Sequence, residues 1–354
     1  ILDGGLTWQS ALMVGRDGRT VAVVGNYDAD PLIASGCWDE VVPYVQGIRE
    51  PLLAALDQLC GPTPRIAVNF SSDDVKADGL THGMWLLLQQ YLKGTRFEGC
   101  LVSAEGLVRA LRGRKTDGEI ERMRAAIRAG DELFEAIQAF AAVGVSERAV
   151  YDHVHQLAAQ RGLGFSWDPE GDPIVNTGPD SMIGHGIPSS TLTIAPGHLF
   201  HIDLGVLKDG YASDIQRCWY VSGGEPVPDD VTRAAKAVND AIDAGARALR
   251  PGVPGWEVDA AARASIVASG YDEYLHARGH QVGRGAHDGG AVLAPRWERY
   301  GRTPEFPVEE RQVYTLELGV TVPGRGYLGL EEMVVVTADG CEFLSERQLE
   351  VGKL

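Results

Sequence analysis

From about residue 116 to its end the chain carries one series of elements twice, and that duplication limits the folds open to it. In the first copy an amphipathic helix ends, Val143-Gly144-Val145 turns, and a second helix runs to Gly162. In the second copy a helix ends near Leu249, Pro251-Gly252-Val253 turns, and a second helix runs to Gly270. Val145 and Val253 are 108 positions apart, as are Gly162 and Gly270. Gly184-His185 then corresponds to Gly279-His280. LFHIDLGV (199–206) corresponds to VYTLELGV (313–320), which sets Asp203 against Glu317. Gly210-Tyr211 before Asp214 corresponds to Gly326-Tyr327 before Glu331, and the apolar runs CWYV and MVVV follow. Duplication about a pseudo-two-fold axis is the simplest account of one order kept twice.

The first helix of this region is well signed. Thr116 stands three residues before Glu119, a capping box, and Ile120, Met123, Ile127, Phe134 and Ile137 recur on one face. The spacing predicts a helix over 117–142 and a second over about 147–161, capped by Ser146. Residues 1–113 read as a separate small α/β unit. SALMVG and TVAVVG pair around Arg16-Asp17-Gly18, EPLLAALDQL and MWLLLQQYL have helical spacing, and RIAVNF and CLVSA read as strands. The junction is placed at Arg112-Gly113-Arg114-Lys115, so the second domain covers 114–354.

The chemistry lies in the duplicated region. Asp209-Gly210 is a hairpin turn signal, and strand side chains alternate between faces. A two-residue turn pairs Lys208 with Tyr211 and sets Asp203 opposite Gln216, with Asp214 on the same face. A four-residue loop over 207–210 sets Asp203 directly opposite Asp214. Either way two carboxylates share a face and repel unless a positive group lies between them. Hard divalent cations take oxygen ligands. The second half adds Glu317, Glu331 and His280, enough for two ions, and such ions acidify a shared water and polarise a carbonyl.

The 354 residues hold 32 Lys+Arg against 49 Asp+Glu, a formal charge of −17. Nucleic acid is disfavoured as a partner by that field. No apolar run reaches the roughly 18 residues of a membrane span, and the start lacks the pattern of a signal peptide. The five Cys are scattered and form no CxxC pair, which points to a reducing cytoplasm.

GHQVGRGAHD (279–288) resembles the glycine-rich His segment of the pita-bread metallopeptidases: prolidases, aminopeptidases P, methionine aminopeptidases and their creatinase relatives. IDLGVLKDGYASDIQR resembles their first metal strand pair, LELG their Glu-Pro-Gly strand, and GLEEMVVVT their Arg-Ile-Glu-Asp strand. The resemblance runs from about residue 116 to the end. Residues 1–113 resemble the later part of the N-terminal domain of the prolidase branch, without its opening helix and strand, and no initiator Met is present. The implied fold is α+β: a duplicated curved antiparallel sheet backed by helix pairs, after a small α/β domain.

Carried over by position, the resemblance implies Asp203 and Asp214 on one ion, His280 and Glu317 on the other, and Asp214 and Glu331 bridging. Glu317 would also accept a proton from the bridging water. His185 is implied near the substrate and His287 at the scissile carbonyl, with His276 a further candidate behind them. The implied enzyme is an Xaa-Pro dipeptidase acting on small peptides through two divalent ions. Manganese is favoured, with zinc and cobalt as alternatives, and the implied state is a homodimer. The runner-up is an Xaa-Pro aminopeptidase on longer peptides. A metal-free creatinase-like hydrolase and an inactive peptide-binding module are the readings of another class.

Three departures bear on substrate choice. Glu317-Leu318-Gly319 replaces Glu-Pro-Gly, Val320-Thr321 stands where an aromatic often follows, and Gly329 replaces the Arg two places before the bridging Glu. Arg284, Arg296, Arg299 and Arg325 are the candidates to replace that Arg as anchor for a substrate carboxylate. Gly324 to Gly329 fits GxGxxG but leads into a strand, so it reads as a hairpin loop rather than a dinucleotide site. His153 and His155, at i and i+2 on a helix, read as surface residues. Trp167, Trp219 and Trp297 read as core, with the lining of a pocket as the alternative.

Overall fold

The computed structural model describes residues 5–184 and 186–354, so His185 lies outside the described residues. The chain divides into two compact units, one of residues 1–70 with 78–104, the other of residues 71–77 with 105–354.

In the first unit, β1 (Ala11–Val14) and β2 (Thr20–Gly25) form the expected hairpin, and β3 (Glu40–Tyr44) runs parallel to β2. A second small parallel sheet joins β4 (Ile66–Val68) to β5 (Leu101–Ser103). Alternation along β2 decides what each face meets. Val21 and Val23 pack with Leu52 and Leu56 of α2 (Arg49–Leu59) and Leu92 of α3 (His82–Leu92). Ala22 and Val24 pack with Ala29 and Leu32 of α1 (Asn26–Ser35). Neither α1, which contains Pro31, nor β3 is signalled by the sequence pattern.

The first element of the second unit is α4 (Glu105–Gly113), residues that the sequence reading assigned to the first domain without naming a helix there. Next come α5 (Asp117–Phe140), α6 (Glu147–Arg161), β6 (Gly164–Phe165), β7 (Ile174–Thr177), β8 (Leu199–Leu204), β9 (Val206–Lys208), β10 (Tyr211–Ala212) and β11 (Ile215–Tyr220). The second half holds α7 (Asp229–Ala248), α8 (Gly255–Ala268), β12 (Val313–Val322), β13 (Gly326–Val336), β14 (Cys341–Phe343) and β15 (Gly352–Lys353). The main sheet runs β12-β13-β11-β8-β7, with β14 on β13 and β15 on β11.

This sheet carries the duplication. The equivalent strands β11 and β13 lie side by side and antiparallel, the relation a two-fold axis normal to the sheet produces. Each half is backed by its own helix pair. Phe200, Ile202 and Leu204 of β8 pack with Met123, Ile127 and Leu133 of α5 and Val150 and Val154 of α6. Leu316 and Leu318 of β12 and Leu328 and Leu330 of β13 pack with Val238 and Ile242 of α7 and Val258 and Ile266 of α8. Helix α6 is capped by Gly162 at φ 65°, and Gly270 at φ 87° follows the Ser269 cap of α8, a backbone that side-chain-bearing residues rarely adopt. The sheet face turned away from the helices is left for Asp203, Glu317 and Glu331.

His153 and His155 are not surface residues. His153 is half-buried and stacks on Phe140 at 4.0 Å. His155 lies between Tyr151 and Phe165, with Nε2 2.8 Å from the Asp172 carbonyl. The rings use the aromatic faces beside them, which helix spacing alone does not show.

Helix α5 begins with the capping box: Thr116 Oγ1 accepts from Glu119 N, and Glu119 Oε2 accepts from Thr116 N at 2.7 Å. Thr116→Ala removes the first of these bonds and should lower unfolding stability by about 1 kcal/mol. A urea midpoint unchanged from wild type would contradict that role.

Candidate metal centre

Strand register builds the site. Glu317 pairs with Glu331, Glu331 with Gln216, and Gln216 with Asp203, so one row crosses β12, β13, β11 and β8. Lys208 pairs with Tyr211, which makes Asp209-Gly210 the two-residue turn, both residues at positive φ. Of the two turn lengths open on sequence, this is the one that sets Asp203 opposite Gln216. Asp214, two residues before Gln216, shares its face.

His280 arrives from outside the sheet. Its carbonyl accepts from Thr315 N at 2.9 Å, and the Arg278 carbonyl accepts from Glu317 N at 2.9 Å. The segment therefore runs along the free edge of β12. Gly279 permits the approach, since a Cβ there would lie 2.0 Å from the Thr315 carbonyl oxygen. His280 Nε2 ends 3.6 Å from Asp214 Oδ2 and 3.5 Å from Glu317 Oε1. Asp214, His280 and Glu331 each offer a ligand atom within 4.8 Å of the others'. Of the five expected metal residues these three converge most closely; Asp203 and Glu317 flank them in the row.

The donor set fits a divalent cation. Burial raises the Asp214 carboxyl well above the usual range, and neighbouring Asp203 adds to it. Burial does the same to Asp203, then Glu317, and to Glu331, then Asp214. Glu317 is pushed up to about 7 by burial. His280 is pushed down to about 3 by burial and by His287, so its ring is neutral and has a lone pair to offer. Its Nδ1 faces the Gln281 carbonyl at 3.5 Å, which leaves Nε2 toward the acids. That lone pair and the carboxylate oxygens repel unless a cation lies between them. Asp203 Oδ1 and Glu331 Oε1 are buried with no hydrogen-bond partner among the described residues.

The neighbouring glutamate shows the contrast. Glu332 pairs with Arg217 at 3.2 Å and also accepts from Ser345 Oγ and Gln348 N. Its charge is met by protein, whereas the charge of Glu331 is not.

His287 is exposed, its ring 4.2 Å from that of His280. His276 sits instead beside Tyr274, with ring centroids 5.5 Å apart. Of the four candidate anchors, Arg325 pairs with Asp230 at 2.7 Å, Arg296 lies over Trp256, Arg299 over Trp297 and Arg284 over Tyr211. Side chains unforeseen on sequence fill the space at Gly329. A Cβ there would lie 2.6 Å from the Tyr327 ring and 2.7 Å from both Gln216 Oε1 and His201 Nε2. Arg278 is also unforeseen. It is 1% exposed, none of its three guanidinium nitrogens has a hydrogen-bond partner among the described residues, it lies over the Tyr274 ring at 4.6 Å, and burial pushes it down to about 10.

Protons and a metal ion compete for the same carboxylates. Manganese affinity measured by calorimetry should therefore rise between about pH 5.5 and about pH 7.5 as Glu317 loses its proton. A flat affinity across that range would contradict the arrangement.

The model of metallopeptidase family M24 matches residues 121–338. The chain is 32% identical over 241 residues to uncharacterized peptidase YqhT of Bacillus subtilis, covering 68% of this chain and 64% of that one. It is 34% identical over 232 residues to the Xaa-Pro dipeptidase of Lactobacillus delbrueckii subsp. lactis, covering 64% and 58%. Each match thus spans less than two thirds of the relative's length. An Xaa-Pro dipeptidase structure from Bacillus anthracis superposes with a TM-score of 0.77 at 25% identity, covering 99% of this chain and 90% of that one. An X-Pro aminopeptidase structure from Thermotoga maritima superposes at 0.72 and 23% identity, covering 96% and 88%. The fold is thus the pita-bread fold, and the chain belongs to metallopeptidase family M24.

Proposed function

We propose that this chain is a metal-dependent exopeptidase that cleaves the Xaa-Pro bond of dipeptides. The observation that carries the reading is the buried row of acids with His280 beside it, in a chain similar to proteins named Xaa-Pro dipeptidase. Asp203, Asp214, His280, Glu317 and Glu331 would hold two divalent ions, with manganese favoured by the oxygen-rich set. When bound, such ions supply an acidified water and polarisation of the scissile carbonyl.

The chain's own residues supply the rest. Glu317, 3.5 Å from His280, accepts a proton from the attacking water. His287, exposed beside His280, donates a hydrogen bond to the oxygen that gains charge. His185, outside the described residues, is assigned to the substrate side. The same proposal includes a homodimer and a cytoplasmic location, the latter supported by five cysteines without a disulfide.

One feature favours the aminopeptidase alternative. Gly329 offers no side chain to hold the carboxylate that ends a dipeptide, and Arg325 is paired elsewhere. Purified protein loaded with manganese should cleave an Xaa-Pro dipeptide faster than the matching Xaa-Pro tripeptide. Faster tripeptide cleavage would replace the dipeptidase reading by the aminopeptidase one. Glu317→Ala should lower kcat/KM at least about a thousandfold while far-UV dichroism stays unchanged. Activity near wild type would remove Glu317 from its assigned role.

A further inference from the structure

Gln216 is the one uncharged member of the row that also holds Asp203, Glu331 and Glu317. Its Nε2 donates to Glu331 Oε2 at 3.1 Å and to Glu317 Oε2 at 3.2 Å. A carboxamide has two N–H donors, and here both go to carboxylates. The opposite oxygens are thereby turned elsewhere. Glu331 Oε1 has no partner among the described residues, and Glu317 Oε1 lies 3.5 Å from His280 Nε2.

Gln216 is itself held. Its Oε1 accepts from His201 Nε2 at 3.0 Å. Burial keeps that ring neutral, so it has one N–H to give, and Asn176 Oδ1, 3.0 Å from Nδ1, is a neighbour rather than a second acceptor. His201 and Gln216 are both buried, so water cannot readily substitute for the missing member if one is removed. The Tyr327 ring stands edge-on to His201 at 5.0 Å, and Gly329 leaves the room that His201, Gln216 and Tyr327 fill.

We propose that His201 and Gln216 form a positioning relay. It fixes which oxygens of Glu317 and Glu331 face a divalent cation. The inference rests on the metal reading above. Gln216 acts through the glutamates and His201 acts through Gln216, so both are positioning residues.

The test is manganese binding by calorimetry on the full chain, with the thermal midpoint of the metal-free protein measured beside it. Gln216→Met keeps the length of the side chain and removes both donors. It should weaken manganese binding by about tenfold or more with a thermal midpoint close to wild type. His201→Leu touches no carboxylate and should weaken binding in the same direction. The double variant should bind no more weakly than Gln216→Met alone, since the relay has nothing left to orient. Unchanged affinity in Gln216→Met, or losses that add in the double variant, would overturn the relay. If Gln216→Met does not fold, His201→Leu decides alone, and unchanged affinity there overturns the proposal. No manganese binding by the wild type would remove the metal reading and the relay with it. Binding by the wild type with unaffected variants removes the relay only.

Discussion

Everything in the second unit answers to one electrostatic constraint: four carboxylates brought together on one sheet face, Asp214 and Glu331 buried and Asp203 and Glu317 half-buried. Burial disfavours the charged form of each, and each neighbour adds repulsion. Protein charges relieve little of this: Arg278 acts on Glu317, but burial still outweighs it. Arg217 is spent on Glu332, and Gln216 supplies only neutral dipoles. Buried like charges persist where a cation between them repays desolvation, so the acids and the ion site are one feature.

The architecture explains how such a cluster can be held at all. A duplicated domain places equivalent strands side by side at its centre, and strand alternation sends every second side chain to the same face. The apolar residues between the acids are locked against two helix pairs, which makes the acid face rigid. His280 then completes the set from a segment whose glycine lets its backbone lie against β12. The imidazole comes from a loop held by backbone bonds, and the carboxylates come from the sheet. Neither can drift without breaking a ladder.

Much of this was legible in the sequence, for definite reasons. Parity along a strand depends only on counting, so Asp203, Asp214, Glu317 and Glu331 could be assigned to one face before any coordinates. The turn at Asp209-Gly210 left two registers open, and only tertiary pairing chose between them. The cap of α5 was readable because it is local. What escaped was set by packing between distant segments. His201 and Asn176 are 25 residues apart and gave no motif, and Gln216 looked like a spacer between strand residues. Arg278 carried no sign of its burial. The meaning of Gly329 as a space taken by Tyr327, Gln216 and His201 needs the side chains themselves. His153 and His155 were misjudged because helix spacing shows which residues share a face, not which aromatic rings stand beside them.

The central claim is that the buried acid row is a seat for divalent cations. The most direct measurement is a crystal grown with manganese, with data collected to give an anomalous difference map. The account predicts anomalous density enclosed by Asp203, Asp214, His280, Glu317 and Glu331. A well-phased map with manganese elsewhere on the molecule and none among these side chains would contradict it.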